Sequence, residues 1–330
     1  MGSQVIDEAS VLKQFDALVR KGTVLYSDDL KKIHHQDGGF EAHHPSPISS
    51  PFEFRLTSAL KTKPAAVFDN SELDAATTPP KSPSPAASNG TNTPMELDAE
   101  GQIPGGDISV AGFVINPVNN THVLMFNKFC AYRPHLILLT ANGYRRQFEP
   151  LGREDLEAAR DVLRGLNSKG GSEYLVIFNC GRDGGCSRLH KHMQVIPAPS
   201  DFRLWPDVRE LEAAVPYECL LKRFENGNPG GEGLGGMYRE MLRAATALVP
   251  GREAVVEEDG DGNGVAVPHN VILSERWMVV VPRTKMDVEG GGVNAAGMLG
   301  MVWASGEETY EQWMRLGPRE VLAEVGVRKR

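Results

Sequence analysis

A glycine-rich loop that runs directly into a His-x-His-x-Gln segment constrains this chain more than any other feature. An apolar segment precedes the loop 181–188, and the loop leads into a strand predicted over 189–196. Alternate residues of a strand share one face, so His190, His192 and Gln194 are expected side by side. The chain therefore has to fold with two imidazoles and an amide in a row beside a loop rich in backbone N–H groups.

That combination favours phosphoryl-transfer chemistry. Concavities formed by backbone N–H groups bind phosphate. A neutral imidazole beside a bound phosphate can attack phosphorus directly. A bare His-x-His pair is most often structural, and the glycine-rich lead-in together with the glutamine favours a catalytic interpretation here.

The composition indicates a globular protein whose partners are small molecules rather than nucleic acid or membrane. The 330 residues carry a net charge of −8, which disfavours a nucleic-acid-binding surface. No apolar run reaches the ~20 residues that a membrane span requires, and the N-terminal residues lack the regions of a secretory signal. The four cysteines form no CxxC pair, so a reducing compartment, the cytoplasm or the nucleus, is expected.

Strand hairpins and separate helices, without a repeating strand–helix–strand pattern, predict an α+β fold with an antiparallel sheet. In the first half, helices are predicted near 7–20 and over 154–166, and strands over 52–57, 121–126, 134–140 and 174–178. In the second half, helices are predicted over 207–214, 237–248 and 319–324, strands over 217–222, 270–273 and 277–281, a glycine-rich loop over 226–236 and an acidic turn over 257–264.

Two polar stretches are predicted to lie outside the sheet. Residues 34–44 contain two histidine pairs, but no cysteine lies nearby and the spacing matches no zinc site, so a flexible loop is expected. Residues 71–106 are rich in Ser, Thr, Pro, Ala and Gly and contain no aromatic side chain. Such a segment cannot bury enough apolar surface to offset the entropy of ordering, which predicts a disordered insertion within the first domain.

The stretch 179–194 resembles the fungal diadenosine tetraphosphate (Ap4A) phosphorylases, also called ATP adenylyltransferases. These belong to the histidine-triad superfamily, in the branch that includes galactose-1-phosphate uridylyltransferase. Three further segments resemble segments of that family in matching order, at 124–140, 270–283 and 294–301.

The resemblance implies a histidine-triad-like antiparallel sheet with flanking helices as the N-terminal catalytic domain, residues 1–199. It also implies a C-terminal α+β ATP adenylyltransferase domain over 214–330, packed on the first.

The resemblance further implies a reversible two-step reaction, Ap4A plus phosphate giving ADP and ATP, through a covalent adenylyl group on His192. Some members also act on adenosine 5′-phosphosulfate. Alternatives are a dinucleoside polyphosphate hydrolase, a sugar-1-phosphate nucleotidyltransferase and a catalytically silent nucleotide-binding regulator. Gln194 cannot protonate a leaving group, which suits transfer better than hydrolysis. The sugar enzymes commonly carry zinc-binding cysteine pairs, which are absent here.

By the same resemblance, His192 is the nucleophile and His190 an orienting residue. The residues implied to contact the substrate are Lys63, with Lys61 as a fallback, Asn127, Lys128, Asn179, Gly185, Cys186, Ser187, Arg188, Gln194, Asn294, Ala295, Ala296 and Met301. Structural interpretations stay open for four of these residues: an ordinary tight turn at Gly185, a packed small side chain at Cys186, a solvated strand end at Lys128 and a core position at Met301.

One departure from the family pattern concerns charge. A family lysine is replaced by Ser305, and Lys285 is a candidate to supply the missing cation. A divalent cation, Mg²⁺, is expected to accompany the nucleotide without a dedicated protein metal site. The expected partners are Ap4A, ATP, ADP and inorganic phosphate, and the expected state is a monomer.

Overall fold

The computed structural model describes the chain over residues 6–27, 30–35, 51–64, 96–168, 170–225, 227, 229–251 and 266–329. The helices are α1 (Glu8–Arg20), α2 (Arg153–Asn167), α3 (Arg209–Glu212), α4 (Gly231–Leu248), α5 (Ala295–Met298), α6 (Glu307–Leu316) and α7 (Pro318–Val325), with 3-10 turns at Ser58–Thr62 and Trp205–Asp207. The strands are β1 (Leu25–Tyr26), β2 (Leu30–His35), β3 (Pro51–Leu56), β4 (Val114–Val118), β5 (His122–Phe126), β6 (Phe129–Cys130), β7 (Leu136–Thr140), β8 (Tyr174–Cys180), β9 (His192–Pro197), β10 (Leu220–Arg223), β11 (His269–Leu273), β12 (Trp277–Pro282), β13 (Asp287–Val288), β14 (Gly291–Gly292) and β15 (Met301–Ala304).

An eight-stranded sheet forms the centre of the molecule, in the order β10-β12-β11-β8-β9-β7-β5-β4. Every neighbouring pair in it is antiparallel, which confirms the predicted α+β fold with an antiparallel sheet. Strand β11, from the predicted C-terminal domain, pairs directly with β8 of the predicted N-terminal domain. The two halves therefore share one sheet, and the domain limits 1–199 and 214–330 remain a prediction.

Two apolar layers cover the faces of this sheet. Helices α1, α2 and α4 pack on one face. The other face carries α5, α6, α7 and a small sheet in the order β15-β3-β2. Residues of β9 alternate between the layers, because Met193 and Val195 join the first and Ile196 joins the second. His192 and Gln194 consequently face the layer that contains the small sheet.

The strand that carries the His-x-His-x-Gln segment begins later than predicted. The β8–β9 pairing runs from Tyr174↔Pro197 to Ile177↔Gln194 and stops there. The N–H groups of Leu189 and His190 donate instead to the Asp107 carboxylate, at 2.9 Å each. The prediction of a strand over 189–196 is therefore wrong at its start. The Asp107 side chain accepts the hydrogen bonds that a neighbouring strand would accept in a continuous sheet.

The prediction of a flexible loop over 34–44 is wrong for its first two residues. His34 and His35 end strand β2, which pairs antiparallel with β3 along its whole length. Residues 36–44, including the second histidine pair, lie outside the described residues. The strand predicted over 52–57 is confirmed as β3. Phe52, Phe54 and Leu56 join the second apolar layer and Glu53 is buried on the opposite face, whereas Arg55 is only partly buried.

The predicted disordered insertion over 71–106 is wrong at its C-terminal end. Residues 96–106 form an ordered turn in which Asp98 accepts the N–H of Gln102 at 2.8 Å, and Ile103 is 5% exposed. A buried isoleucine and local side-chain hydrogen bonds order this piece despite its poor composition. Residues 71–95 lie outside the described residues.

Helix α1 is confirmed and is capped by Asp7, which accepts from the Ser10 N–H at 3.1 Å. Helix α4 begins at Gly231, so the loop predicted over 226–236 is wrong for its second half. Gly231 lets α4 approach α2 closely, since an added Cβ would lie 1.9 Å from the Glu157 Cγ. Burial against α2 outweighs the low helix propensity of the glycines.

The other predicted helices and strands are confirmed or differ from the structure at their boundaries. The helices predicted over 154–166 and 319–324 and the hairpin 270–281 are confirmed. The helix predicted over 207–214 is shorter, at Arg209–Glu212, and the strand predicted over 217–222 is shifted to Leu220–Arg223. Helix α6 has no counterpart in the predictions, and the acidic turn 257–264 falls outside the described residues. Within the described ranges, no helix combines the length and apolar character needed to cross a membrane.

Candidate active site

A cleft of about 380 Å³ opens between the central sheet, the loop after β8 and the small sheet. Eight of the predicted site residues line it, namely Lys63, Asn179, Gly185, Cys186, Ser187, His192, Gln194 and Asn294. Apolar and aromatic side chains, Leu60, Met286, Val302 and Trp303, form other parts of its wall. The cleft thus combines a polar region around His192 with apolar surface, as a nucleotide site requires.

The structure holds His192 in the form that a nucleophile needs. The carbonyl of His190 accepts a hydrogen bond from Nδ1 of His192 at 2.8 Å, so the proton resides on Nδ1 and Nε2 carries the lone pair. Burial lowers the pKa of His192, and the charges of Lys63 and Arg188 lower it further. The imidazole is therefore neutral at neutral pH, with Nε2 as its nucleophilic atom.

The side chain of Gln147 occupies the gap where β8 and β9 separate. Its Oε1 accepts from the His192 N–H at 2.8 Å. Its Nε2 donates to the carbonyls of His192 and Asn179, at 3.0 and 2.9 Å. Gln147, 1% exposed, therefore replaces the missing strand pairing and fixes the backbone of His192 relative to Asn179.

His190 does not line the cleft. Its ring is fully buried, and Nε2 lies 2.9 Å from the carbonyl and 3.0 Å from the hydroxyl of Thr140. Burial lowers the pKa of His190 to about 4, so the ring is neutral and donates through Nε2. The contribution of His190 to the cleft is its backbone carbonyl, which orients His192.

Asn179 and the loop after it are held from beneath by two buried residues. Asn179 Oδ1 accepts from Asn270 Nδ2 at 3.0 Å and from the Ala295 N–H at 2.8 Å. Arg283, 1% exposed, donates to Asn270 Oδ1 at 2.6 Å. These bonds use the oxygen of the Asn179 amide and leave its NH₂ group as the part that can serve a ligand.

The loop is less open to phosphate through its backbone than its sequence suggests. The N–H of Gly185 donates to the Arg182 carbonyl at 2.8 Å, and that of Cys186 donates to the Gly181 carbonyl at 3.4 Å. Gly185 has a φ of +85°, and an added Cβ would lie 2.4 Å from the Val293 carbonyl oxygen. The glycine is therefore needed for the turn and for the close approach of the 293–294 backbone, while the N–H groups of Gly185 and Cys186 donate within the loop.

Two cations lie near the polar end of the cleft. Lys63 lines the cleft and keeps much of its side chain accessible, although protein surrounds it on several sides. Burial and the neighbouring charge of Arg188 lower the pKa of Lys63 to about 8. Arg188 is held by its own loop, since Nη1 donates to the Ser187 carbonyl at 2.7 Å. The pair gives an acidic protein a local positive region.

The remaining predicted residues lie around the cleft without lining it. Ala295, Ala296 and Met301 are fully buried, and Lys128 is exposed beside the Phe129 ring. Asn127 uses its Oδ1 to accept from the Phe129 N–H at 3.2 Å.

Two residues bear on the family lysine that Ser305 replaces: Ser305 itself and Lys285, the candidate to supply the charge. Lys285 does not line the cleft and pairs with Glu324 at 2.8 Å. Ser305 lines the cleft and its hydroxyl lies 3.0 Å from that of Thr309.

Four residues that line the cleft or hold its side chains and backbone were not predicted from the sequence: Asp107, His135, Gln147 and Trp303. Asp107 directly follows the segment predicted to be disordered, and Gln147 and Trp303 carry no local pattern. His135 offers a signal, because it is a polar residue directly before an apolar run over 136–139. Among the described residues, no three His, Cys, Asp or Glu side chains come together in a way that could hold a metal ion.

Comparison with protein families identifies the class. The model described as "Ap4A phosphorylase N-terminal domain" matches residues 110–221. The model described as "ATP adenylyltransferase C-terminal domain" matches residues 213–328. Together the two matches span about two thirds of the chain in the expected order, and the chain belongs to the Ap4A phosphorylase family.

Individual relatives agree with this assignment. Protein APA1 of Saccharomyces cerevisiae is 24% identical over 288 residues, covering 78% of this chain and 89% of the relative. The diadenosine tetraphosphate phosphorylase 2 of the same yeast is 25% identical over 211 residues, covering 57% and 63%. The crystal structure of yeast Ap4A phosphorylase Apa2 has the same fold, with a TM-score of 0.67 at 17% identity and 97% coverage of both chains. The structure of Apa2 in complex with Ap4A gives a TM-score of 0.68 at 16% identity and 99% coverage.

Proposed function

We propose that this protein catalyses the phosphorolysis of Ap4A, converting Ap4A and inorganic phosphate into ADP and ATP, and the reverse reaction. The family assignment and the names of the yeast relatives support the substrate. The observation that carries the mechanism is the neutral His192, whose Nδ1 is bonded to the His190 carbonyl and whose Nε2 carries the lone pair.

The proposed chemistry has two displacements at the same phosphorus atom. His192 Nε2 attacks the α-phosphorus of Ap4A, the P–O bond to the next phosphate breaks, and ATP leaves with the bonding electrons. An oxygen of inorganic phosphate then attacks the adenylyl-histidine, the P–N bond breaks, and ADP leaves. His192 returns to its starting state, and neither step requires an oxidant or a reductant.

The polar end of the cleft supplies the charge complementarity. Lys63 and the nearby Arg188 are the cationic groups for the polyphosphate, and the amides of Asn179 and Gln194 are neutral donors. We further propose that Mg²⁺ arrives with the nucleotide and neutralises part of its charge. The protein is proposed to act as a monomer on nucleotides and phosphate in the cytoplasm or nucleus.

Product analysis tests the reaction. Ap4A is incubated with and without inorganic phosphate, and phosphate-dependent formation of equal amounts of ADP and ATP is expected. Formation of AMP and ATP without phosphate would indicate a hydrolase, and tight binding without turnover would indicate a regulator.

Covalent trapping tests the nucleophile. Ap4A that carries the label in its adenosine groups should leave one labelled adenylyl group per enzyme when phosphate is absent. We expect His192→Ala to abolish that labelling and to lower turnover by about 10⁴-fold or more, because the displacement loses its nucleophile. Labelling that survives in His192→Ala would exclude this histidine as the nucleophile.

A further inference from the structure

His135 lies beneath the cleft, directly behind Gln194. The ring is 1% exposed and contacts Trp303 edge-on, with 5.0 Å between ring centroids. Burial lowers the pKa of His135 to about 4, so the ring is neutral at neutral pH. A neutral imidazole has one donor and one acceptor nitrogen, and its surroundings decide which is which.

The backbone of Ala131 decides the tautomer. Its N–H points at His135 Nδ1 at 3.3 Å, and a backbone N–H can only donate. Nδ1 therefore carries the lone pair and Nε2 carries the proton. Asn127 Nδ2 lies 3.3 Å from His135 Nε2, and in this tautomer both atoms are donors. The Asn127 amide keeps its NH₂ group on this side because its Oδ1 accepts from the Phe129 N–H.

The proton on His135 Nε2 in turn decides the orientation of the Gln194 amide. Nε2 lies 2.8 Å from Gln194 Oε1, which accepts its hydrogen. The amide oxygen is thereby held at the back, and the NH₂ group is directed to the cleft beside His192, where Gln194 forms part of the wall. The reversed amide would place an oxygen lone pair toward the anionic phosphoryl group.

We propose that His135 is a positioning residue that acts through Gln194, presenting the amide as a hydrogen-bond donor to the phosphoryl group that His192 attacks. The proposal rests on the proposed function for its substrate. It assigns to His135 no contact with substrate, because the ring is 1% exposed and does not line the cleft.

A double-mutant cycle tests this dependence, with His135→Phe, Gln194→Ala and the double variant measured as kcat/KM for Ap4A with phosphate. A hydrogen bond to a charged group corresponds to about a 10- to 100-fold change, so each single variant should lose roughly that factor. The double variant should lose little more than Gln194→Ala alone, since His135 has nothing left to orient. Losses that multiply would overturn the proposal, as they would indicate general damage.

His269→Phe is the matched control. His269 is also fully buried in the central sheet, burial likewise lowers its pKa to about 4, and its Nε2 bonds to the Tyr238 hydroxyl at 2.9 Å. Any loss in His269→Phe should multiply with that of Gln194→Ala, because this ring has no contact with the amide.

A second measurement does not depend on the variants folding. Nitrogen NMR of the ¹⁵N-histidine-labelled wild-type protein, with His135 assigned from the contacts of its ring with Ala131 and Trp303, reports which ring nitrogen carries the proton. A proton on Nε2 is expected, and a proton on Nδ1 would overturn the proposal. This result is independent of turnover, so failure of the proposed reaction and failure of the tautomer remain distinguishable.

Discussion

The two faces of one short strand segment differ in how completely their polar groups are satisfied. On the reverse face, Lys191 is 1% exposed, and its Nζ donates to Asp155 at 2.7 Å and to the Pro150 carbonyl at 2.6 Å. Asp155 also lies 2.9 Å from His122 and accepts the Gly152 N–H at the start of α2. On the cleft face, His192 directs an unprotonated Nε2 into a cavity.

The difference means that adjacent residues meet different requirements: Lys191 contributes to stability and His192 to function. A buried charge without a partner is strongly destabilising, so the reverse face has to be complete in the free protein. A nucleophile with every lone pair engaged could not react, so the cleft face has to remain incomplete until substrate binds. Lys191 directly precedes β9 and His192 is its first residue, so the two requirements lie one residue apart.

The largest effect is expected from breaking the reverse face. Lys191→Met leaves the Asp155 carboxylate buried without its cation, and the free energy of unfolding should fall by about 3–5 kcal/mol. Urea denaturation followed by far-ultraviolet circular dichroism measures this change. The double variant Lys191→Met/Asp155→Asn should regain much of the loss, because neither charge then remains and the amide oxygen still accepts the Gly152 N–H. A double variant as unstable as the single one would contradict the charge argument.

A smaller effect is expected at the junction of the two faces, where Gln147 holds the His192 backbone. Gln147→Leu keeps the side-chain volume and leaves two carbonyls and one N–H unpaired, so kcat should fall by about 10- to 100-fold. Because the change moves the nucleophile, kcat should fall more than KM rises. Steady-state kinetics on Ap4A measures both parameters. Gln14→Leu, on the exposed surface of α1, is the control and should change neither.

The smallest effect concerns the charge on the cleft face and its dependence on pH. Lys63 has a pKa of about 8, so it is protonated below that pH and loses its positive charge above it. If the charged form binds the polyphosphate, kcat/KM should fall by up to about tenfold per pH unit above 8. Lys63→Arg should remove this decline because guanidinium stays protonated, whereas Lys63→Met should lower kcat/KM at all pH values. A decline that persists in Lys63→Arg would assign the titration to another group.

Local sequence patterns predicted secondary structure and burial correctly where the interactions that decide them are between residues close in sequence. The predicted alternation correctly separated Met193 and Val195 from His192 and Gln194, because strand geometry alone imposes it. It was wrong for His190, which precedes the strand and does not line the cleft. The apolar periodicity of α2 and the hairpin of β11 and β12 were likewise visible. The glycines of α4 and the segment 96–106 were misjudged, because long-range burial overrode their composition.

The amino-acid sequence by itself determined the chemistry available to this protein: a strand that presents a nucleophile and an amide on one face, next to a buried lysine and behind a loop that requires glycine. The tertiary structure decided the protonation and orientation of those groups. Gln147 holds His192 across 45 residues of sequence, and His135 holds Gln194 across 59. A tautomer or an amide orientation depends on which donors and acceptors arrive from distant segments, and no local pattern specifies those partners.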